Sequence, residues 1–101
     1  MSDFGLSQRT RDTIHAILRQ HPEVESAVIY GSRAKGNYRA GSDVDLTLKG
    51  EQLSHDVLLR ISGELYDSSV PYLFDLSIYH QLSNPNFIEH IDRVGRVFYQ
   101  K

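Results

Sequence analysis

Gly31 and Ser32 are followed, after ten residues, by Asp43-Val44-Asp45 in the stretch GSRAKGNYRAGSDVDL. Alternation along a strand brings Asp43 and Asp45 to one face, with Cα atoms ~6.6 Å apart. Carboxylates at that spacing can converge on divalent ions lying ~3.5–4 Å from one another. A strand that runs through glycine into a helix start directs backbone N–H groups outward, where a phosphate can sit. Together these residues have the makings of a site that holds a nucleoside triphosphate through its phosphates and metal ions. Neither half is specific alone. An Asp-x-Asp pair also occurs on the wet side of a half-covered sheet, and Gly-Ser is an ordinary strand-to-helix turn.

A third carboxylate changes the balance. Tyr72-Leu-Phe-Asp-Leu-Ser-Ile-Tyr79 alternates, placing Tyr72, Phe74, Leu76 and Ile78 on one face and Leu73, Asp75, Ser77 and Tyr79 on the other. Val44, Leu46 and Leu48 alternate with Asp43, Asp45 and Thr47 in the same manner. Strands deplete aspartate, so three on like faces call for a cation if the two strands are neighbours. The alternative partner for Asp75 is an arginine such as Arg33. Arg33 abuts the Gly-Ser turn and is a candidate phosphate contact, with Lys35 and Arg39 as further cations of the same loop. Gly31 and Gly36 have P-loop spacing, but Asn37-Tyr38 stand where lysine and Ser/Thr are required.

The elements that must position these groups are readable. A first helix spans about Ser7 to Gln20, with Ile14, Ile17 and Leu18 on its inner stripe and Pro22 beyond its end. Glu25 to Tyr30 is an apolar strand ending at Gly31, and Ser32 is placed to cap a helix that Arg33, Ala34 and Lys35 begin. A further helix runs from Ser54 to Leu65, burying Val57, Leu58, Ile61 and Leu65, with Gly63 as a weak point. Asn84-Pro85 opens the last helix, which buries Phe87, Ile88, Ile91 and Val94 and closes at Gly95. Val97-Phe98-Tyr99 can add a short final strand. The predicted fold is α/β (α+β), in the order α-β-α-β-α-β-α, with a small mixed sheet covered by helices on one face.

The chain resembles the minimal nucleotidyltransferases, or MNT domains, of the DNA polymerase β-like nucleotidyltransferase superfamily. Their signature is Gly-Ser, about ten residues, Asp-x-Asp and a later acidic residue, matched here by Gly31, Ser32, Asp43, Asp45 and Asp75. The element order extends the resemblance over almost the whole chain. It implies a fold of the polymerase β type, two Mg2+ ions held by the three aspartates, and ATP as substrate. Small members of the family are typically encoded beside a helical HEPN-domain protein, as toxin–antitoxin pairs. The MNT protein is there the antitoxin, similar to enzymes that move AMP from ATP onto a tyrosine of the toxin. Two other readings stand beside this one: neutralisation of such a partner by binding alone, and transfer to a small molecule.

Length and composition narrow the choice. The 101 residues make one domain, 1–101, with no stretch left over for a second unit that would grip an acceptor. Net charge is −2, so no basic stripe is available for a long nucleic acid. Three ionised aspartates and a triphosphate sum to roughly −7, and two Mg2+ reduce this to about −3, so the ligand needs its metal. Cysteine is absent, which excludes thiolate metal sites and disulfides and suits a reducing cytoplasm. No apolar run reaches the ~18 residues of a membrane span, and no signal-peptide core is present. The five histidines, His15, His21, His55, His80 and His90, show no ligand spacing and read as surface residues.

Overall fold

The computed structural model describes residues 3–101. Ser7 caps the first helix, α1 (Gln8–Arg19), its Oγ accepting a hydrogen bond from the Thr10 amide at 3.1 Å. Strand β1 (Ser26–Tyr30) leads into the four-residue helix α2 (Ser32–Lys35), and β2 (Val44–Lys49) follows. Ser54 caps α3 (His55–Asp67) through the Val57 amide, and β3 (Phe74–Ile78) runs into a single 3-10 turn, Tyr79–Gln81. Asn84 accepts from the amides of Asn86 and Phe87 at the head of α4 (Pro85–Val94), where Pro85 occupies a position that needs no N–H. The final strand forms as β4 (Arg96–Gln100).

The sheet order is β3-β2-β1-β4. β1 pairs antiparallel with both β2 and β4, whereas β2 and β3 run parallel. A parallel pair cannot be joined by a tight hairpin, and α3 supplies the crossover. Alternation then sorts the side chains. Ala27 and Ile29 of β1, Val44, Leu46 and Leu48 of β2, and Ile78 of β3 pack with Ile14 and Leu18 of α1 and Val57, Ile61 and Leu65 of α3. Each valine, leucine or isoleucine among them contributes about 1.5–3 kcal/mol on leaving water.

The opposite face of β1 presents Val28 and Tyr30, which pack against Ile91 of α4 with Phe87 and Val94 beside them. The mixed sheet is therefore as expected, but the expectation that helices cover one face only is corrected. Helices α1 and α3 share a face, but α4 lies on the other, because its stripe of Phe87, Ile91 and Val94 meets the apolar residues that β1 turns away from the main core. This leaves Asp45 of β2 and Asp75 of β3 on the open part of the second face, with Thr47 buried beside them.

Candidate active site

Register brings the carboxylates together. Tyr30 is the antiparallel partner of Asp45, and Asp45 is the parallel partner of Asp75. Strands lie ~4.8 Å apart, so these three residues form a row across the open face. β2 is paired on both sides, and a one-residue slip would drive its carboxylates into the core, so the register is strongly specified. Asp43 is exposed and lies one residue before β2 begins, at the mouth of the strand.

Electrostatics bind the row into one unit. Burial pushes the Asp45 carboxyl above its usual range, the charges of Asp75 and then Asp43 raise it further, and Arg33 and His90 oppose them. The Tyr30 hydroxyl is pushed up to about 12, first by burial and then by Asp75 and Asp45, with a hydrogen bond to Ser77 working the other way. Ser77 Oγ in turn donates to Thr47 Oγ1 at 2.9 Å. None of the three aspartates is in an ion pair among the described residues.

Among the described residues, no three His, Asp or Glu side chains converge tightly enough to hold an ion unaided. Magnesium seldom requires that. It takes hard oxygens, keeps several waters, and is commonly held by one or two carboxylates together with substrate phosphates. A set of adjacent aspartates that forms no ion pair among the described residues and is open on one side fits that chemistry.

The Gly31-Ser32 turn touches the row directly. Gly31 has φ 73° and ψ −153°, a conformation essentially restricted to glycine, and a Cβ there would overlap Oδ2 of Asp45. Gly31, not Ser32, is the N-cap of α2, and no side chain caps this helix. The expected capping role of Ser32 is thus corrected: it is the first helical residue, and among the described residues its hydroxyl has no hydrogen-bond partner, lying beside N–H groups that have no intrahelical acceptor. The helix ends at Gly36 in the left-handed conformation.

Arg33, expected at the phosphates, points into the protein and is 2% exposed. Its Nε and Nη2 donate to the Ser42 carbonyl at 3.1 and 2.8 Å, and Nη1 donates to the Phe4 carbonyl at 2.8 Å. These bonds also dispose of an Arg33–Asp75 ion pair. Arg33 still acts on Asp45, through its charge. Lys35 and Arg39 are exposed. His90, read from sequence as a surface residue, is half-buried and stands edge-on to Tyr30 with ring centroids 6.4 Å apart. The signal was present, since Phe87, His90, Ile91 and Val94 make an i, i+3, i+4, i+7 stripe on α4.

A family model described as polymerase beta, nucleotidyltransferase, matches residues 12–101. The chain belongs to this family. Solved relatives agree in fold for this polymerase β nucleotidyltransferase. A chain of a toxin–antitoxin complex crystallised with AMP-PNP superimposes with a TM-score of 0.74 at 18% identity, covering 90% of this chain and 73% of that one. A chain of the complex between tri-AMPylated HEPN toxin and MNT antitoxin from Shewanella oneidensis gives 0.70 at 16% identity, with 95% and 74% covered. A nucleotidyltransferase assigned in Sulfolobus solfataricus gives 0.55 at 15% identity, with 96% and 92% covered. No curated protein matches the chain significantly. Among the described residues, no helix is long and apolar enough to cross a membrane.

Proposed function

We propose that this nucleotidyltransferase moves AMP from ATP to a hydroxyl group, a tyrosine of a HEPN-domain partner, and thereby serves as a cytoplasmic antitoxin. The observation that carries the reading is the pairing of Asp45 with Asp75 in register, with the Gly31 backbone packed against the Asp45 carboxylate. The solved toxin–antitoxin relatives support the choice of partner, one of them holding a modified HEPN toxin and another a nucleotide analogue.

Asp43, Asp45 and Asp75 would hold two Mg2+ ions, which supply charge neutralisation for the triphosphate and acidify the acceptor hydroxyl. The Ser32 hydroxyl and the backbone N–H groups at the start of α2 hold the β- and γ-phosphates. Asp75, exposed on the outermost strand, faces the acceptor and can receive its proton. The acceptor oxygen forms its bond to the α-phosphorus as the bond from that phosphorus to the pyrophosphate oxygen breaks, in line. Tyr30, held neutral by its surroundings, presents a hydroxyl and not a phenolate to the carboxylates. Arg33 acts from the interior and not as a phosphate ligand. Catalysis on this scheme is positioning and charge compensation.

The test is incubation of the protein with ATP labelled on the α-phosphate, Mg2+ and the product of the adjacent gene. Label should appear on the partner and vanish with Asp43→Ala. Tight complex formation without label would support neutralisation by binding alone, and label on an added aminoglycoside but not on protein would support small-molecule transfer.

A further inference from the structure

We propose that Arg33 is a positioning residue that fixes Asp43 relative to the Gly31-Ser32 turn and ties that geometry to the N-terminal arm, residues 3–6. The inference rests on the reading of the site as a cradle for metal and triphosphate.

The loop before β2 settles its own shape. Ser42 N donates to the Arg39 carbonyl at 3.0 Å, Arg39 N donates to Ser42 Oγ at 2.9 Å, and Gly41 has φ 85° at the third position. These are the marks of a turn closed by local bonds. Local bonds do not decide where the turn sits relative to α2. That is supplied by Arg33, which belongs to α2 and grips, with two nitrogens, the carbonyl of the residue immediately before Asp43. A single point donor such as lysine cannot reproduce a forked grip.

The arrangement is costly enough to need a reason. A buried cation with no ion-pair partner among the described residues loses much of its hydration energy. Here the compensation is three bonds to carbonyls and two ring faces, with the guanidinium carbon 5.3 Å from the Tyr38 centroid and 4.8 Å from that of Tyr72.

The third bond reaches the arm. Phe4 adopts φ 59°, uncommon for a residue with a side chain, and its carbonyl accepts from Nη1. Gly5 at φ 73° passes under the Tyr38 ring, which a Cβ would overlap, and Leu6 is buried in the main core. Arm, α2 and the Asp43 loop therefore meet at one guanidinium. Groups that orient metal-binding carboxylates commonly alter metal affinity 10–100-fold when removed.

The experiment uses Mn2+ as a paramagnetic stand-in for Mg2+, titrated with ATP present into wild type, Arg33→Lys and a chain lacking residues 1–4. Melting temperature and amide exchange over residues 39–45 are measured alongside. Arg33→Lys is expected to bind Mn2+ about 10-fold or more weakly and to exchange faster at residues 42–44, and the shortened chain to fall between it and wild type. A purely structural arginine would lower the melting temperature and leave the Mn2+ constant of the folded protein unchanged, overturning the proposal. If Arg33→Lys does not fold, the shortened chain and Tyr72→Leu decide by the same readouts. Wild type that takes up no Mn2+ with ATP would instead overturn the reading of the site itself.

Discussion

The carboxylate of Asp45 fills the space in which residue 31 would carry a side chain. The glycine of the turn and the central aspartate of the row are thus a fitted pair, joined across the two central strands. A side chain at residue 31 would have to displace that carboxylate.

Gly31→Ala should destabilise the protein by about 1–3 kcal/mol, because φ 73° with ψ −153° suits only glycine. In an Asp45→Ala background the overlap disappears while the backbone strain remains, so the penalty should shrink without vanishing. Urea melts of the four proteins of this cycle measure the coupling. Strict additivity would mean that the two residues do not touch.

Asp45→Asn should raise the melting temperature at neutral pH, the reverse of the usual effect of losing a carboxylate. The Asp45 carboxyl is held above 3.8 in the folded chain, by burial first and then by Asp75 and Asp43. The folded state therefore binds its proton more tightly than the unfolded state, and stability falls as pH rises from the unfolded value through the folded one. The benefit of the substitution should be full above that window and fade on acidification below it. Thermal melts from pH 3 to pH 8 without divalent ions test this, and Mg2+ should narrow the gap by stabilising wild type alone.

Tyr30→Phe should flatten the alkaline limb of the stability profile. The Tyr30 hydroxyl is raised from 10.0 to about 12 in the folded chain, so its contribution is complete below the unfolded value and lost as pH rises through the folded one. Wild type should lose stability more steeply than the variant between these two values. Ultraviolet titration of the tyrosines should show one late-ionising phenol in wild type that is missing in the variant.

Much of this was legible in the residues. Alternation in Val44–Leu48 and Tyr72–Ile78 gave both strands their inward and outward faces, and Ser7, Ser54 and Asn84 marked helix starts where caps are found. The juxtaposition of Asp45 with Asp75 was conditional, because it depends on β3 returning parallel beside β2 and not at another position in the sheet. The direction of Arg33 was hidden for a different reason. A four-residue helix has too few positions for a periodic stripe to reveal which side is buried, and the partners of Arg33 are backbone carbonyls, which leave no trace in composition. Gly31 and Ser32 exchanged capping roles because the choice turns on a positive φ that either assignment of the sequence permits. The side taken by α4 was encoded in Val28 and Tyr30, apolar residues on the outward face of β1 that required a cover.

The central claim is that the carboxylate row and the Gly31-Ser32 turn hold a triphosphate only together with a divalent ion. Calorimetric titration of ATP into wild type and Asp45→Asn, with Mg2+ and again with EDTA, tests it most directly. The expected result is saturable heat for wild type with Mg2+, none with EDTA, and binding at least about 10-fold weaker for the variant. Equal uptake of ATP in EDTA, or an Asp45→Asn protein that binds as well as wild type, would contradict the account.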